Sequence, residues 1–393
     1  MLPLAYGLRS LLVRRLQSLA TLLGVALVVG VFCYLLCFAD GLNHALQITG
    51  DPHNLIVLAD GATAETNSAL SNEDARRLIS VPNVARADDG RPLVSPEVVV
   101  QTDVVRRGDR SGTRAGVVVR GIDLEAALAV HRGVELIAGR WFRDATDELV
   151  VGADAAGRFE GLQIGSTLDC GERTFAIVGR FTAGGSARGS ELWGHWSNVR
   201  AAYRRERFSS AVVRLRTSDP AAISAAVRRI ESAGISLRAV PETEYFANQA
   251  QSAHVIRALA TGLLLIMGAG AAFAATNALL ASVAGRTREI GMLRAIGYSR
   301  RAVLIAILIE SLLVALGGGL LGCLGCFVFI QSAAATGDLV ATATFSSIAF
   351  DVRITGRIVA LSLAGAAAIG LLGGYWPARA AAGLPVVRAL RAT

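Results

Sequence analysis

Few residues in this chain have the type and spacing for chemistry. His131, His195, Asp169 and Cys170 lie in its hydrophilic stretch, yet they form no recognisable triad and no metal-ligand spacing. Cys323-Leu-Gly-Cys326 has the C-x-x-C spacing of redox and zinc sites. It lies inside an apolar run without histidine or an adjoining second pair, so small-residue packing is the better reading. Cys33 and Cys37 fall in another apolar run, and Cys170 has no partner in its own region, so no structural disulfide is expected there. Gly184-Gly185, close after Gly179, lacks the lysine and the strand-to-helix context of a phosphate-cradling loop and reads as a turn or hinge. All 39 basic residues are arginine. A P-loop needs a lysine to reach the nucleotide phosphates, so the sequence is not that of a Walker-type ATPase. No catalytic, metal or cofactor-binding residue is expected. One further ionisable group, Glu310, sits inside an apolar run; an ion relay would need several such groups, and pairing with an arginine or with helix-end donors is preferred.

The elements that hold these residues explain the poverty of the chemistry. Hydrophobic residues make up 53% of the chain, charged residues only 18%, and mean hydropathy is +0.48, too apolar for an ordinary soluble protein. The net charge of +8 is gathered at the ends of apolar runs, without any nucleic-acid motif, so membrane orientation explains it and no nucleic-acid partner is expected. Four stretches can span a membrane: residues 18–40, 252–283, 302–331 and 357–376. Residues 1–17 put leucines on one side and arginines on the other, as an interfacial helix would. A signal peptide is the rival reading there, but the following run exceeds an ordinary h-region and lacks a cleavage pattern, which favours an uncleaved first helix. Arginines crowd the N-terminus, the loop 284–301 and the tail 377–393, which places both termini and that loop in the cytoplasm.

Between the first two spans, residues 41–251 change character. Expected strands are 54–58, 98–105, 116–120, 148–151, 174–178 and 211–215; helices start at Ser71, with Asp74 completing a capping box, and at Asp219, with Pro220 in the first position. The fold class is thus a membrane protein with four transmembrane α-helices and a large extracytoplasmic α+β domain between helices 1 and 2. A helix starting near Thr243 and running to Val283 would be about 60 Å long, twice the hydrocarbon thickness, so its outer part is expected to project as a stalk. Gly318 and Gly322 give the third span a small-xxx-small face for close helix contact, within the chain or across a dimer. Residues 332–356 make a short outer loop.

The loop 284–301 carries the most specific pattern. Ile290, Leu293 and Ile296 recur every third residue among Arg288, Glu289, Arg294, Arg300 and Arg301, followed by Gly297, which suits a helix with one apolar stripe. The string RTREIGMLRAIGYSRRAVLIAILIE resembles the loop that opens the permease domain of the MacB, LolC/LolE and FtsX families of ABC transporter subunits. The tail, with Pro377, Ala378 and Arg379, then Pro385, then Ala389-Leu390-Arg391, is similar to the closing signature of those permeases. The strings VRGID, LIAGRWF, ELVVGADAA and IGSTLDCGERTFAIVGRF are similar to the inserted subdomain of a MacB-type periplasmic core, which makes residues 41–115 and 190–240 its basal halves.

The resemblance implies a non-catalytic permease subunit of the bacterial inner membrane. In it Arg288, Glu289, Ile290, Leu293, Arg294, Ile296 and Gly297 form the coupling helix on a separate ATPase subunit, which uses the ATP. A second permease copy is implied as well, with room for a periplasmic adaptor, and motion is transmitted mechanically to the outer domain. A secondary transporter or channel would call for internal repeats and buried polar residues, and a membrane-anchored sensor or enzyme for a catalytic constellation. The sequence offers Glu310 to the first and scattered groups to the second. The substrate is not legible.

Overall fold

The structure, a computed structural model, describes residues 15–108, 114–232, 236–249, 251–336, 340–343, 346–349 and 352–385. Most of the expected interfacial helix, and residues 386–393 of the tail, lie outside them. In order the chain forms α1 (Arg15–Thr49), β1 (Asn54–Ala59), α2 (Asn72–Leu78), β2 (Val94–Val105), β3 (Arg114–Ile122), α3 (Leu124–Val130), β4 (Glu135–Gly139) and β5 (Glu148–Gly152). There follow α4 (Ala153–Arg158), β6 (Thr167–Cys170), β7 (Arg173–Thr182), β8 (Leu192–His195), α5 (Trp196–Ala202), β9 (Ser210–Arg214), α6 (Pro220–Glu231), β10 (Leu237–Pro241) and α7 (Glu242–Gln249). The last elements are α8 (Gln251–Ala284), α9 (Thr287–Ala295), α10 (Arg300–Thr336), β11 (Val340–Ala343), β12 (Ser346–Ala349) and α11 (Gly356–Gly383). They divide into two compact units: residues 1–39, 254–332 and 353–393 in one, and 40–253 with 333–352 in the other.

Among the described residues four helices are long and apolar enough to cross a membrane, each lying largely in the first unit. Glycines set their neighbours. A Cβ on Gly322 would meet the Ala26 carbonyl oxygen at 2.5 Å and one on Gly318 the Leu22 carbonyl oxygen at 2.7 Å, so α1 and α10 approach backbone to backbone. Gly370 of α11 lies against Ser311 and Ala315 of α10, with the Ser311 hydroxyl donating to the Gly370 carbonyl over 2.7 Å. Gly373 lies against Ala272 and Ala275 of α8, and Thr276 Oγ1 donates to the Gly373 carbonyl over 2.9 Å. The small-residue face read at Gly318 and Gly322 thus serves a contact within the chain. α11 continues past Trp376 through Pro377 to Gly383, taking in residues that the sequence assigns to the tail.

The second unit is built on a ten-stranded sheet in the order β10-β1-β9-β2-β3-β8-β5-β7-β4, with β6 paired to β7. Most neighbours are antiparallel; β3 with β8 and β5 with β7 run parallel. All six expected strands are present, each within or overlapping an observed one. Ser71 caps α2 with the reciprocal Asp74 bonds, and Asp219 caps α6 with Pro220 behind it. Alternation along the strands decides the two faces. Leu55, Val57, Val98, Val100, Val117, Val119, Leu149, Val151, Phe175, Ile177, Ala211 and Val213 enter one large core, which runs through both segments that the sequence assigns to separate subdomains. The intervening residues Ile122, Val150 and Trp193 turn to the other face, where Phe181, beyond the register shift of β7 between Ile177 and Gly179, joins them in a smaller core. Also in strands whose apolar neighbours enter the large core are buried polar residues: Asn54, Glu97, Arg120, Ser210 and Arg214. The outer connection is more than a loop, since β11 and β12 form a two-stranded antiparallel ribbon.

Candidate coupling sites

The ends of α1 and α7 meet in the sheet-bearing unit. A Cβ on Gly50, the residue after α1, would lie 2.7 Å from Thr243 Cα, so the two segments touch through backbone and only glycine fits. A short 3-10 turn, Ala187–Ser190, ties both together. The Ala187 amide donates to Thr49 Oγ1 over 2.8 Å at the end of α1. Arg188 pairs with Glu242, the first residue of α7, and its guanidinium stands 5.8 Å from the centroid of the Phe246 ring one turn later. Glu242 is 1% exposed and saturated: it also accepts from the Asp51 amide at 3.0 Å and from Asn54 Nδ2 at 2.8 Å. Asp51 in turn accepts from Arg214 Nη1 at 2.9 Å, and Arg214 also donates to Asn54 Oδ1. Burial would raise the Asp51 carboxyl, but the His53 amide and Arg214 outweigh it and hold it below the usual range. The turn is wedged from behind as well, since a Cβ on Gly152 would meet the Gly189 carbonyl oxygen at 2.1 Å.

A second buried network adjoins through Tyr245. Its hydroxyl accepts from the Glu65 amide at 3.1 Å, and the Glu65 carboxylate binds Arg120 at 3.0 and 3.1 Å. Arg120, 2% exposed in the middle of β3, also binds Glu97 at 2.5 Å and Glu191 at 2.8 Å through two nitrogens. His131 Nε2 lies 2.6 Å from Glu97, and Trp193 Nε1 donates to Glu191. Burial opposes ionisation of Glu97 and Glu191, but His131 and Arg120 beside the first, and Arg120 with Arg188 beside the second, hold both carboxyls below the usual range. The same burial, with the Glu65 charge, pushes the Tyr245 phenol up. Three carboxylates around one guanidinium form a rigid cross-brace of the sheet's second face, and α7 is bonded into it at Glu242 and at Tyr245. Sequence reading passes over this set. Arg120 inside VVVRGI and Glu97 inside PEVVV were the available signals: a charge between β-branched residues either faces water or is paired.

In the helical unit, α9 holds the residues of the basic loop. Ile290 is buried against Val303 and Ala381, with Val283, Ile307 and Leu384 around them. It packs into the chain itself. Leu293 and Arg294 are half-buried, and Arg294 Nη1 donates to the Leu384 carbonyl at 2.5 Å, fixing α9 to the end of α11. Arg288, Glu289, Ile296 and Gly297 are exposed, Ile296 to 78%, as is Met292. Gly297 ends the helix at φ +108°, a conformation that L side chains rarely adopt. The stripe therefore separates into an inward residue and an outward pair, Met292 and Ile296, in an arginine-rich rim. Glu310 lies 3.7 Å from Arg286 Nη1, both largely buried, an ion pair across the α8–α9 turn and α10.

The remaining candidates take no common site. His195 caps α5 through Ser197, Asp169 accepts from Thr174, and Cys170 is a buried free thiol whose pKa burial pushes up to about 11. His131 belongs to the Arg120 network. Gly184 and Gly185 both have positive φ, in the turn before Ala187.

Comparison with known proteins agrees with this architecture. The family model described as MacB-like periplasmic core domain matches residues 18–233, and that of the FtsX-like permease C-terminal matches residues 261–386. The chain is similar to the macrolide export ATP-binding/permease protein MacB of Azoarcus sp., 26% identical over 98% of this chain and 58% of that protein. The protein of the same name from Shewanella oneidensis is 26% identical over 98% of this chain and 60% of its own length. That from Chlorobaculum tepidum is 40% identical over 29% of this chain and 16% of its own length. Among solved structures, the extracellular domain of the noncanonic ABC-type transporter YknZ from Gram-positive bacteria aligns with 48% of this chain and 99% of its own, at 14% identity and a TM-score of 0.35. The chain spans about 60% of the length of the Azoarcus and Shewanella relatives. With both family models matched in sequence order, one on each side of α7, the chain belongs to the MacB-like, FtsX-type family of ABC transporter permeases.

Proposed function

We propose that this chain is the mechanical subunit of an exporter or extractor: it receives nucleotide-driven motion from a separate ATPase at α9 and passes it through α8, α7 and α1 to the core domain. The observation that carries this reading is the junction at Ala187–Ser190, where one turn holds Thr49 of α1 and Glu242 and Phe246 of α7. A displacement of either helix end has to move the turn, and the turn is bonded into a braced sheet. No lysine is available here for a P-loop, so the nucleotide site of this reading lies outside this sequence. The chain works in the bacterial inner membrane with both termini cytoplasmic and with a second permease copy.

On α9 the docking contacts are Ile296, Met292 and the exposed part of Leu293, with Arg288, Glu289 and Gly297 at the rim, while Ile290 and Arg294 hold the helix in place. The test is co-purification of the ATPase from reconstituted membranes. Ile296→Asp puts a charge into that contact and should weaken capture about 30-fold, the equivalent of losing an anchor worth about 2 kcal/mol. The chain's own folding should be untouched, because Ile296 is exposed. Undiminished capture by Ile296→Asp and by Met292→Asp removes α9 from the interface.

A further inference from the structure

Four cysteines lie in the membrane helices, and the fold brings three of them to one point. Cys33 and Cys37 are one turn apart on the same side of α1, and Cys326 faces them from α10. Their sulfurs all lie within 4.8 Å of one another, and the three residues are 0%, 0% and 5% exposed. The convergence follows from the glycine contact one turn earlier. Gly30 and Gly322 bring the two backbones together, and Cys33 and Cys326 are the next residues to face each other across the seam. Beyond them Tyr34 and Phe329 close the seam edge to face, with centroids 5.3 Å apart. Ser362 of α11 lies beside Cys33 and Cys323, its hydroxyl fully buried.

Sequence spacing draws attention to Cys323 and Cys326, yet the cluster is made across helices, from an i, i+4 pair and one residue of the C-x-x-C. We propose that Cys33, Cys37 and Cys326 form a site for a soft monovalent cation of the copper(I) type, pinning α1 to α10. The donor set decides the class of ion. Three thiols without carboxylate or imidazole select soft d10 cations over magnesium, calcium or manganese. A metal–sulfur bond of about 2.3 Å places the sulfurs of a trigonal site about 4 Å apart, within reach of small side-chain adjustments from the observed separation. A monovalent ion suits the apolar surroundings as well. Each sulfur that binds as thiolate releases its proton to solvent, and with one proton lost the site is neutral, whereas a bare charge at this depth is disfavoured. The Ser362 hydroxyl then finds an acceptor in a neighbouring thiolate.

The test uses the full-length chain in lipid nanodiscs, reduced and kept anaerobic, titrated with copper(I) against a chelator. One ion per chain should bind. Cys33→Ser and Cys326→Ser should each weaken binding about ten-fold or more, while Cys323→Ser and Cys170→Ser keep it. Copper(I) should also raise the thermal unfolding midpoint of the wild type and leave that of Cys33→Ser unchanged, with size-exclusion profiles checking that the variants fold. The proposal is overturned if the wild type binds no copper(I), if it takes zinc(II) but not copper(I), or if binding survives serine at all three positions.

Discussion

Arg188 and Glu242 stand 54 residues apart in sequence and form an ion pair whose side chains are 5% and 1% exposed. Removing one partner of such a pair leaves a buried charge without compensation, at a cost of about 3–5 kcal/mol, whereas replacing both by apolar residues of similar size is often close to neutral. Arg188→Met should therefore lower the stability of the core domain by roughly that amount, and Arg188→Met with Glu242→Leu should restore only part of it, because the Asp51 amide and Asn54 Nδ2 lose their acceptor as well. The double variant separates stability from transmission: it should fold, bind the ATPase and fail to couple. Denaturant unfolding alongside ATPase-coupled activity measures both. A double variant that couples normally removes the pair from the pathway.

The contrast between what the sequence discloses and what it hides has a physical basis. Length and apolarity alone place α1, α8, α10 and α11, because a membrane span is a local property of some twenty residues. Alternation places β1, β2 and β9, and cap chemistry places the starts of α2 and α6 at Ser71 and Asp219. The Arg188–Glu242 pair and the Arg120 brace are non-local. Each needs side chains from several strands, and a lone arginine in VVVRGI looks the same whether it meets water or three carboxylates. The stripe on α9 fails for a similar reason: periodicity says that Ile290, Leu293 and Ile296 share a side, but only the neighbours Val303 and Ala381 show that Ile290 is spent on the chain's own packing. Hydropathy marks only the apolar run of α1, whereas the helix itself continues through polar residues to Thr49, whose partner Ala187 lies far away in sequence.

The seam between α1 and α10 admits no side chain at position 322. A Cβ there would stand 2.5 Å from the Ala26 carbonyl oxygen and 2.9 Å from the Gly30 nitrogen, so Gly322→Ala forces the backbones apart. Overpacking of this kind costs about 1–3 kcal/mol. Gly325→Ala, where nothing lies within 4 Å, is the matched control and should be silent or slightly stabilising. Thermal unfolding in detergent compares the two; equal midpoints would mean that the seam is looser than described.

Acid should act through the Arg120 brace. Glu97 has its folded pKa held well below the unfolded value of about 4.3. Its contribution to stability is therefore complete above about pH 4.3, and is lost progressively as the pH falls from there through the folded pKa. Glu97→Gln should cost stability at neutral pH, by a gap that stays constant down to about pH 4.3 and closes below it. Denaturant unfolding of wild type and variant across pH 3–8 gives the gap directly. A gap that grows on acidification would reverse the sign and contradict the charged state assigned to Glu97.

The central claim is that nucleotide binding at the partner reaches the core domain through the turn Ala187–Ser190. The direct measurement is amide hydrogen exchange on the complex of this chain with its ATPase in nanodiscs, with and without a non-hydrolysable ATP analogue. The account predicts altered exchange in Glu242–Gln249 and Ala187–Ser190 of the wild type. In the double variant Arg188→Met with Glu242→Leu, the response should be confined to the membrane unit. Exchange in both segments that is identical with and without nucleotide, while α9 is protected by the ATPase, would contradict it.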